Sequence, residues 1–379
     1  MQDTTSGYSF RFVCSVLVKT LILLLAANLL FALVNPMPFL GKLTLYNWLF
    51  PGRARLPFGE DPGQAYNLSL FSLDAMFASQ AVARPKAPGE YRVLVVGDSS
   101  VWGILLPPGQ TLAGQINAAG YKTPDGRQVR AYNLGYPTLS LTKDLLVLEW
   151  ARQFQPDMII WLVTLEAFPR DQQLSSPILQ HNPQAVRRLI QTYQLDLNLH
   201  DPALVDPSFW QQTLFGQSRN LADILRLQVF GALWAATGID QYYPQTYELR
   251  ANDLAADLTF DSLKGPHLAK DVLAFDVLEA GMSIYKDIPV LLVNEPMFIS
   301  NGANSNIRYN FYYPRWAYDD YRQLLSAEAQ QNNWQYLDLW NAIPPAEFTN
   351  SAIHLTPAGS AQLAGMIGQA MSKELGSVR

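Results

Sequence analysis

The sequence predicts a three-layer α/β/α domain on a parallel five-stranded sheet, carried behind an N-terminal transmembrane helix and enlarged by a helical insertion. Three observations predict it. Short β-branched apolar runs alternate with stretches of helical spacing from Tyr91 to Lys373, the pattern of a parallel sheet covered on both faces. Phe12 to Val34 is almost wholly apolar, with Lys19 its only charge. The alternation lapses between Arg170 and Lys286, where helical and polar-loop patterns take over.

Composition narrows the class further. The chain has 379 residues and a net charge of −5, and 16% of its residues are charged, against about 25% in ordinary soluble proteins. Hydrophobic residues make up 49% and aromatics 12%, which excludes a disordered chain. A net acidic chain with scattered Lys and Arg lacks the basic stripe of a nucleic-acid binder. With a single cysteine, Cys14, no disulfide forms within the chain.

The elements follow in order. Residues 1–34 read as a tail and a single-pass anchor, because about 20 apolar residues span the hydrocarbon core as a helix. Lys19 lies near one end, where its stem reaches the headgroups. A cleaved signal peptide is the rival reading, since Arg11 precedes the apolar run. The run is long for such a leader, and the residues after it lack a small-x-small cleavage pattern. Cys14 reads as a small apolar residue of the helix. Arg11 and Lys19 precede or enter the span while Lys42, Arg53 and Arg55 follow it, so the charge bias alone does not place the C-terminal domain outside.

Residues 35–90 are rich in Pro, Gly and aromatics and read as an interfacial neck or linker with one helix, Leu70 to Val82. They include a glycosylation-type sequon at Asn67-Leu68-Ser69. The soluble domain, 91–379, opens with the strand Tyr91 to Val96 and a helix over Gln110 to Ala119. A second strand (Val129 to Asn133), a helix (Leu141 to Gln155) and a third strand (Met158 to Val163) come next. After the insertion, 170–286, come strands at Ile288 to Val293 and Trp334 to Asp338, with helices over Pro314 to Gln331 and Pro357 to Lys373. Inside the insertion, Leu221 to Gly238 reads as an amphipathic helix, packed on the core or lying against the bilayer or a membrane partner.

The chemistry clusters at strand ends. Gly97-Asp98-Ser99-Ser100 follows the first strand directly. A serine there projects into the crevice, and the backbone N–H groups after it can meet an oxyanion; the plainer reading is a helix N-cap. His354 lies in Ile353-His354-Leu355-Thr356-Pro357, just ahead of the last helix, with Thr356 as N-cap and Pro357 at the first helical position. A loop at a helix start suits a general base. His181, His200 and His267 have no paired spacing with one another or with Cys, so no metal site is expected, and nothing calls for a cofactor. Asn294 and Glu295 follow the fourth strand and face the same crevice, as substrate contacts or as a structural turn. Tyr309 to Tyr321 reads as core plus surface, or as a stacking platform for sugar rings.

These blocks resemble the SGNH (GDSL) hydrolase superfamily, over roughly Tyr91 to Ser372 apart from the insertion. The resemblance implies a flavodoxin-like sheet, Ser99 as nucleophile, and Gly135 of Asn133-Leu134-Gly135 as an oxyanion donor. It also implies His354 as base, in Ser351-Ala352-Ile353-His354. Two positions depart from the pattern. The Asn expected after the third strand is absent from Val163-Thr164-Leu165-Glu166, leaving the Thr164 hydroxyl, or a protonated Glu166, as a substitute donor. The Asp expected three residues before the histidine is Ser351, preceded by Asn350. Either residue then orients the imidazole, or Asp338 or Glu166 supplies a carboxylate from elsewhere. Members with this layout imply a serine esterase or O-acyltransferase acting on acyl esters of a cell-envelope glycan. They imply an extracytoplasmic catalytic domain working beside a multi-span membrane acyltransferase. The other class of reading is a catalytically inactive binding or scaffold subunit of such a complex.

Overall fold

A computed structural model describes residues 8–59, 70–237 and 246–377; the tail through residue 7 and the Asn67–Ser69 sequon lie outside these. The runs expected as strands form one parallel sheet. They are β1 (Glu90–Val96), β2 (Gln128–Asn133), β3 (Met158–Val163), β4 (Val290–Asn294) and β5 (Gln335–Asp338), in the spatial order β2-β1-β3-β4-β5. All four pairings are parallel. The described helices of eight residues or more are α1 (Phe10–Val34), α2 (Leu112–Ala119), α3 (Leu141–Ala151), α4 (Pro183–Tyr193), α5 (Ser218–Thr237), α6 (Phe275–Ile284), α7 (Arg315–Gln331) and α8 (Pro357–Ser377).

Strand alternation explains why so little of the sheet is polar. Val93, Val95, Ile160, Leu162, Leu291 and Val293 point to one face and join a core with residues of α2 and α8. Leu94, Val96, Ile159, Trp161, Val163 and Leu292 point to the other and join residues of α3, α6 and α7. Both faces are therefore covered, and β1, β3 and β4 are buried throughout. The chain steps from β1 to β2 on one side and then to β3 on the other. This order opens a crevice beyond the carboxyl ends of β1 and β3.

Two expected boundaries change. The stretch 170–286 is not all insertion. Its last helix, α6, packs on α3, and a Cβ on Gly281 would stand 2.5 Å from the Trp161 ring. Thus α6 is the crossover helix between β3 and β4, and the additional material is α4, α5 and a two-residue hairpin, Thr259–Phe260 with Leu263–Lys264. The neck is not a linker either. Leu56, Leu73, Met76, Phe77 and Val82 belong to the larger core. Arg53 and Gln80 form a bridge, with the Arg53 N–H donating to Ser79 O at 2.8 Å and the Ala81 N–H to Arg53 O at 3.0 Å. The helix expected over Leu70 to Val82 is a short helix, Leu73–Ala78, followed by a 3₁₀ turn, Ala81–Ala83.

Helix α1 begins at Ser9, whose hydroxyl accepts from the Phe12 N–H at 3.3 Å, and stops at Asn35 in the left-handed region (φ 45°). Asn is among the few residues that cap a helix this way, and Pro36 prevents continuation. The helix is long and apolar enough to cross a membrane. Only Asn28 and Ala32 of it are buried.

Candidate active site

The turn carrying Ser99 is built by close backbone approach. Asp98 caps the short helix Ser99–Trp102, its Oδ1 accepting the Ser100 N–H at 2.8 Å. A Cβ on Gly97 would lie 2.7 Å from Val101 Cγ2, and one on Gly135 2.4 Å from the Trp102 nitrogen. Glycine at both places lets β1, the turn and the loop after β2 pack against one another. Ser99 occupies the first helical position, where its own N–H has no intrahelical acceptor.

His354 is brought to Ser99 by a tight loop. Phe348 and Leu355 form an antiparallel bridge, and the Thr349 N–H donates to His354 O at 2.8 Å. The Phe298 N–H pins the loop through Ala352 O at 2.6 Å. As expected, Thr356 caps α8, accepting the Gly359 N–H at 3.1 Å. The loop points the imidazole so that Nε2 lies 2.8 Å from Ser99 Oγ and Nδ1 lies 2.9 Å from Asn350 Oδ1. An amide oxygen only accepts, so Nδ1 carries the proton and Nε2 is free to accept from the serine hydroxyl. This is the tautomer a general base requires.

Of the residues weighed for orienting the histidine, Asn350 does so. Ser351 is buried and bonds Tyr312 instead. Asp338 is committed elsewhere, accepting from Arg322 at 2.6 Å and from Asn294 Nδ2 at 2.9 Å. With no carboxylate beside it, burial pushes His354 down to about 4. The imidazole is neutral across the physiological range, poised as an acceptor but poor at holding a positive charge.

The expected oxyanion donors are engaged. The Gly135 N–H reaches the turn but donates to Asn133 Oδ1 at 3.0 Å, a bond that must open before it meets an oxyanion. Thr164 is fully buried, and its hydroxyl pairs with that of Tyr313 at 3.0 Å. Burial, with the charge of Asp261 adding, raises Glu166 to about 7, so it is partly protonated at neutral pH.

The expected substrate contacts are corrected too. Asn294 is buried, accepting from the Tyr318 and Tyr321 hydroxyls at 3.3 Å each; it ties α7 to the sheet. Tyr309, Tyr313, Tyr318 and Tyr321 are core residues, which rules those four out as a sugar platform. Glu295 lies beneath the nucleophile turn and accepts from the Ser100 hydroxyl. Its carboxyl is pushed well up, first by burial and then by the negative charge of Asp98.

Sequence reading missed the supports of this turn. Lys143, fully buried on α3, donates to Gly97 O at 2.8 Å and pairs with Asp144 at 2.5 Å. Two adjacent charges on a helix otherwise reading as apolar were the available signal. Arg55, from the neck, is 1% exposed. Its Nη1 donates to the carbonyls of Trp102, Gly103 and Leu106 at 2.8–3.2 Å, and its guanidinium lies 3.7 Å from the centre of a Trp102 ring. Nothing in its local sequence signals that role.

The Glu295 environment sets a stability test. A carboxyl whose pKa is raised on folding keeps a proton that the unfolded chain releases above its ordinary value near 4.5, so stability falls as pH rises from there. Glu295→Gln mimics the protonated acid without titrating. Its stability relative to wild type should increase from pH 5 to pH 8 in thermal melts. A constant difference across that range would show that Glu295 is not the titrating group.

Among the described residues, no group of three or more His, Cys, Asp or Glu is placed to hold a metal. No protein-family model matches the sequence, and no curated protein is similar enough to match. Solved structures are. Those to which it is similar include two lipolytic proteins of the G-D-S-L family. One, from Veillonella parvula, is 12% identical, covering 72% of this chain and 94% of its own, with a TM-score of 0.35. Another, from Desulfitobacterium hafniense, is 10% identical over 74% of this chain and 99% of its own, with a TM-score of 0.32. A carbohydrate acetylesterase family member from Sinorhizobium meliloti is 12% identical over 75% of this chain and 99% of its own, also with a TM-score of 0.32.

Proposed function

We propose that the chain is a membrane-anchored serine esterase or O-acyltransferase of the SGNH type, acting on acyl esters of a cell-envelope glycan. The observation that carries this reading is the hydrogen-bonded run Ser99 Oγ, His354 Nε2, His354 Nδ1 and Asn350 Oδ1. Ser99 Oγ attacks the ester carbonyl as its proton passes to Nε2. The Ser99 N–H holds the oxyanion, joined by the Gly135 N–H once Asn133 lets it go. The ester C–O bond breaks, and His354 returns its proton to the departing alcohol oxygen. Water or an acceptor hydroxyl then gives its proton to His354 and attacks the acyl-serine; the Ser99 Oγ–acyl bond breaks as His354 returns that proton to Ser99 Oγ, and the acyl group leaves on the water or acceptor oxygen. Water makes the protein an esterase, and a hydroxyl makes it a transferase. The transferase version includes a multi-span acyltransferase as partner and an extracytoplasmic domain, which a reporter fused after Arg379 tests.

A second reading has its own support. Gly135 and Thr164 are both engaged and no carboxylate backs His354, as suits a non-catalytic scaffold subunit. A fluorophosphonate probe separates the two. The enzyme reading expects labelling of the wild type that is lost in Ser99→Ala and reduced about 10²-fold or more in His354→Ala, the scale of general base catalysis. Folded wild type that takes no label, and a Ser99→Ala strain with no phenotype, would leave the scaffold reading.

A further inference from the structure

The insertion helix α5 is apolar on two sides. Ile224, Leu227 and Gly231 form its inward stripe, Gly231 so close to Tyr46 that a Cβ would stand 2.2 Å from the ring. The opposite side carries Leu225, Val229 and Leu233. Trp210 and Phe215 lie on the turn leading into α5. These five are 57–67% exposed. A helix facing water carries mostly polar residues on its outer side, whereas this one is mainly apolar there. Its outer rim holds the exposed Arg219 and Arg226.

A second observation says what covers this face. Asn28 is a polar residue inside the apolar run of α1, and its Oδ1 accepts the Phe215 N–H at 3.1 Å while its Nδ2 donates to Leu24 O at 2.9 Å. The turn carrying Trp210 and Phe215 is therefore attached to α1 itself. At about 1.5 Å per residue, Asn28 lies roughly 9 Å inside the end of α1 at Val34. That is the depth to which an interfacial helix buries its apolar face, about 5–10 Å. The exposed Arg219 and Arg226 beside this face suit an interfacial seat, in which long cationic side chains keep their heads in water.

We infer that the outer face of α5, with Trp210 and Phe215, is embedded in the leaflet through which α1 leaves the bilayer. The occupant is lipid, and the domain is seated on the membrane rather than tethered above it. The inference rests on α1 being a spanning anchor.

The test uses the full chain with Cys14→Ser, reconstituted in phosphatidylcholine vesicles without any partner protein. Val229→Cys, Leu233→Cys and Trp210→Cys are each labelled with an environment-sensitive fluorophore. Leu21→Cys, within α1, and Gln362→Cys, on exposed α8 beyond the opposite face of the sheet, are controls. Doxyl-labelled lipid is expected to quench most of the emission at positions 229, 233, 210 and 21 and none at 362. Quenching at 21 without quenching at 229 and 233 overturns the lipid seat and leaves the anchor standing, the face then belonging to a protein partner. Absence of quenching at 21 as well overturns the anchor reading and the seat together.

Discussion

Asn350→Asp should raise the turnover of an activated ester at neutral pH by about 10- to 30-fold and move the acid limb of its pH profile upward. The wild-type amide already selects the tautomer that leaves Nε2 free, so the gain is electrostatic only. A hydrogen bond to a charged group exceeds a neutral one by about 1–2 kcal/mol, and every 1.4 kcal/mol of transition-state stabilisation is tenfold in rate. In wild type, burial without a compensating charge holds His354 near 4, so activity should persist into mildly acidic solution. An aspartate beside the ring favours the imidazolium and raises the histidine pKa by about 1–3 units. The variant is therefore faster at pH 7 to 8 but loses its base sooner as the pH falls, and the two kcat/KM profiles approach one another on the acid side. Profiles of p-nitrophenyl acetate hydrolysis measure both effects. An unmoved acid limb would mean that Asn350 does not hold His354 in solution.

The stability of the folded state carries the same sign. A histidine whose pKa is depressed on folding makes the protein less stable as pH falls from about 6.5, the ordinary value, toward the folded value near 4. Asn350→Asp should weaken that acid sensitivity.

The second large effect lies at Arg55. Arg55→Met keeps much of the volume and removes the donors to three backbone carbonyls, together with the charge over Trp102. Removing one side of a buried charged hydrogen-bonded arrangement costs about 3–5 kcal/mol. The shift is roughly 2–4 °C per kcal/mol for 150–250 residues and falls with size, so for this larger domain the melting midpoint should drop by about 5–8 °C. Arg55→Lys, which keeps the charge but not the planar fork, should fall between. Labelling by the fluorophosphonate probe below the midpoint should also slow, because the three carbonyls bound the Ser99 turn. A loss under about 1 kcal/mol would show that water replaces the guanidinium there.

What was legible in the sequence depended on repetition. Five apolar strand runs, the helices between them and the apolar N-terminal helix each repeat a signal over many residues, and their placement held to within a few positions. Ser99 and His354 were legible because each sits where a strand or helix ends, and the fold converts that position into proximity. Contacts made by single residues across long separations were not legible. Asn350 and Ser351 were equivalent in sequence, and only the bridge between Phe348 and Leu355 decides which faces the ring. Thr164 and Asn294 stand at strand ends like Ser99 but turn into the tyrosine-rich core made with α7. The neck misled because its Pro and Gly content resembles a linker, while Leu56, Met76 and Phe77 are spaced by no period that marks a buried element.

That neck also sets where the chain can be cut. A soluble fragment started at Tyr91, where the recognisable domain begins, would leave out Leu56, Met76, Phe77 and Val82 and open a trough along α3. It would also strip Arg55 from the serine turn. A fragment retaining Thr44 onward keeps the cap of the Leu45–Leu49 helix and the Asn47 bonds to Ala78 and Gln80. The same geometry applies to any protease acting on the full chain. Cutting at Asn35 would spare the helix Met37–Lys42, which packs on Leu73–Ala78, whereas cutting between Met37 and Phe58 would detach part of the core that the neck completes.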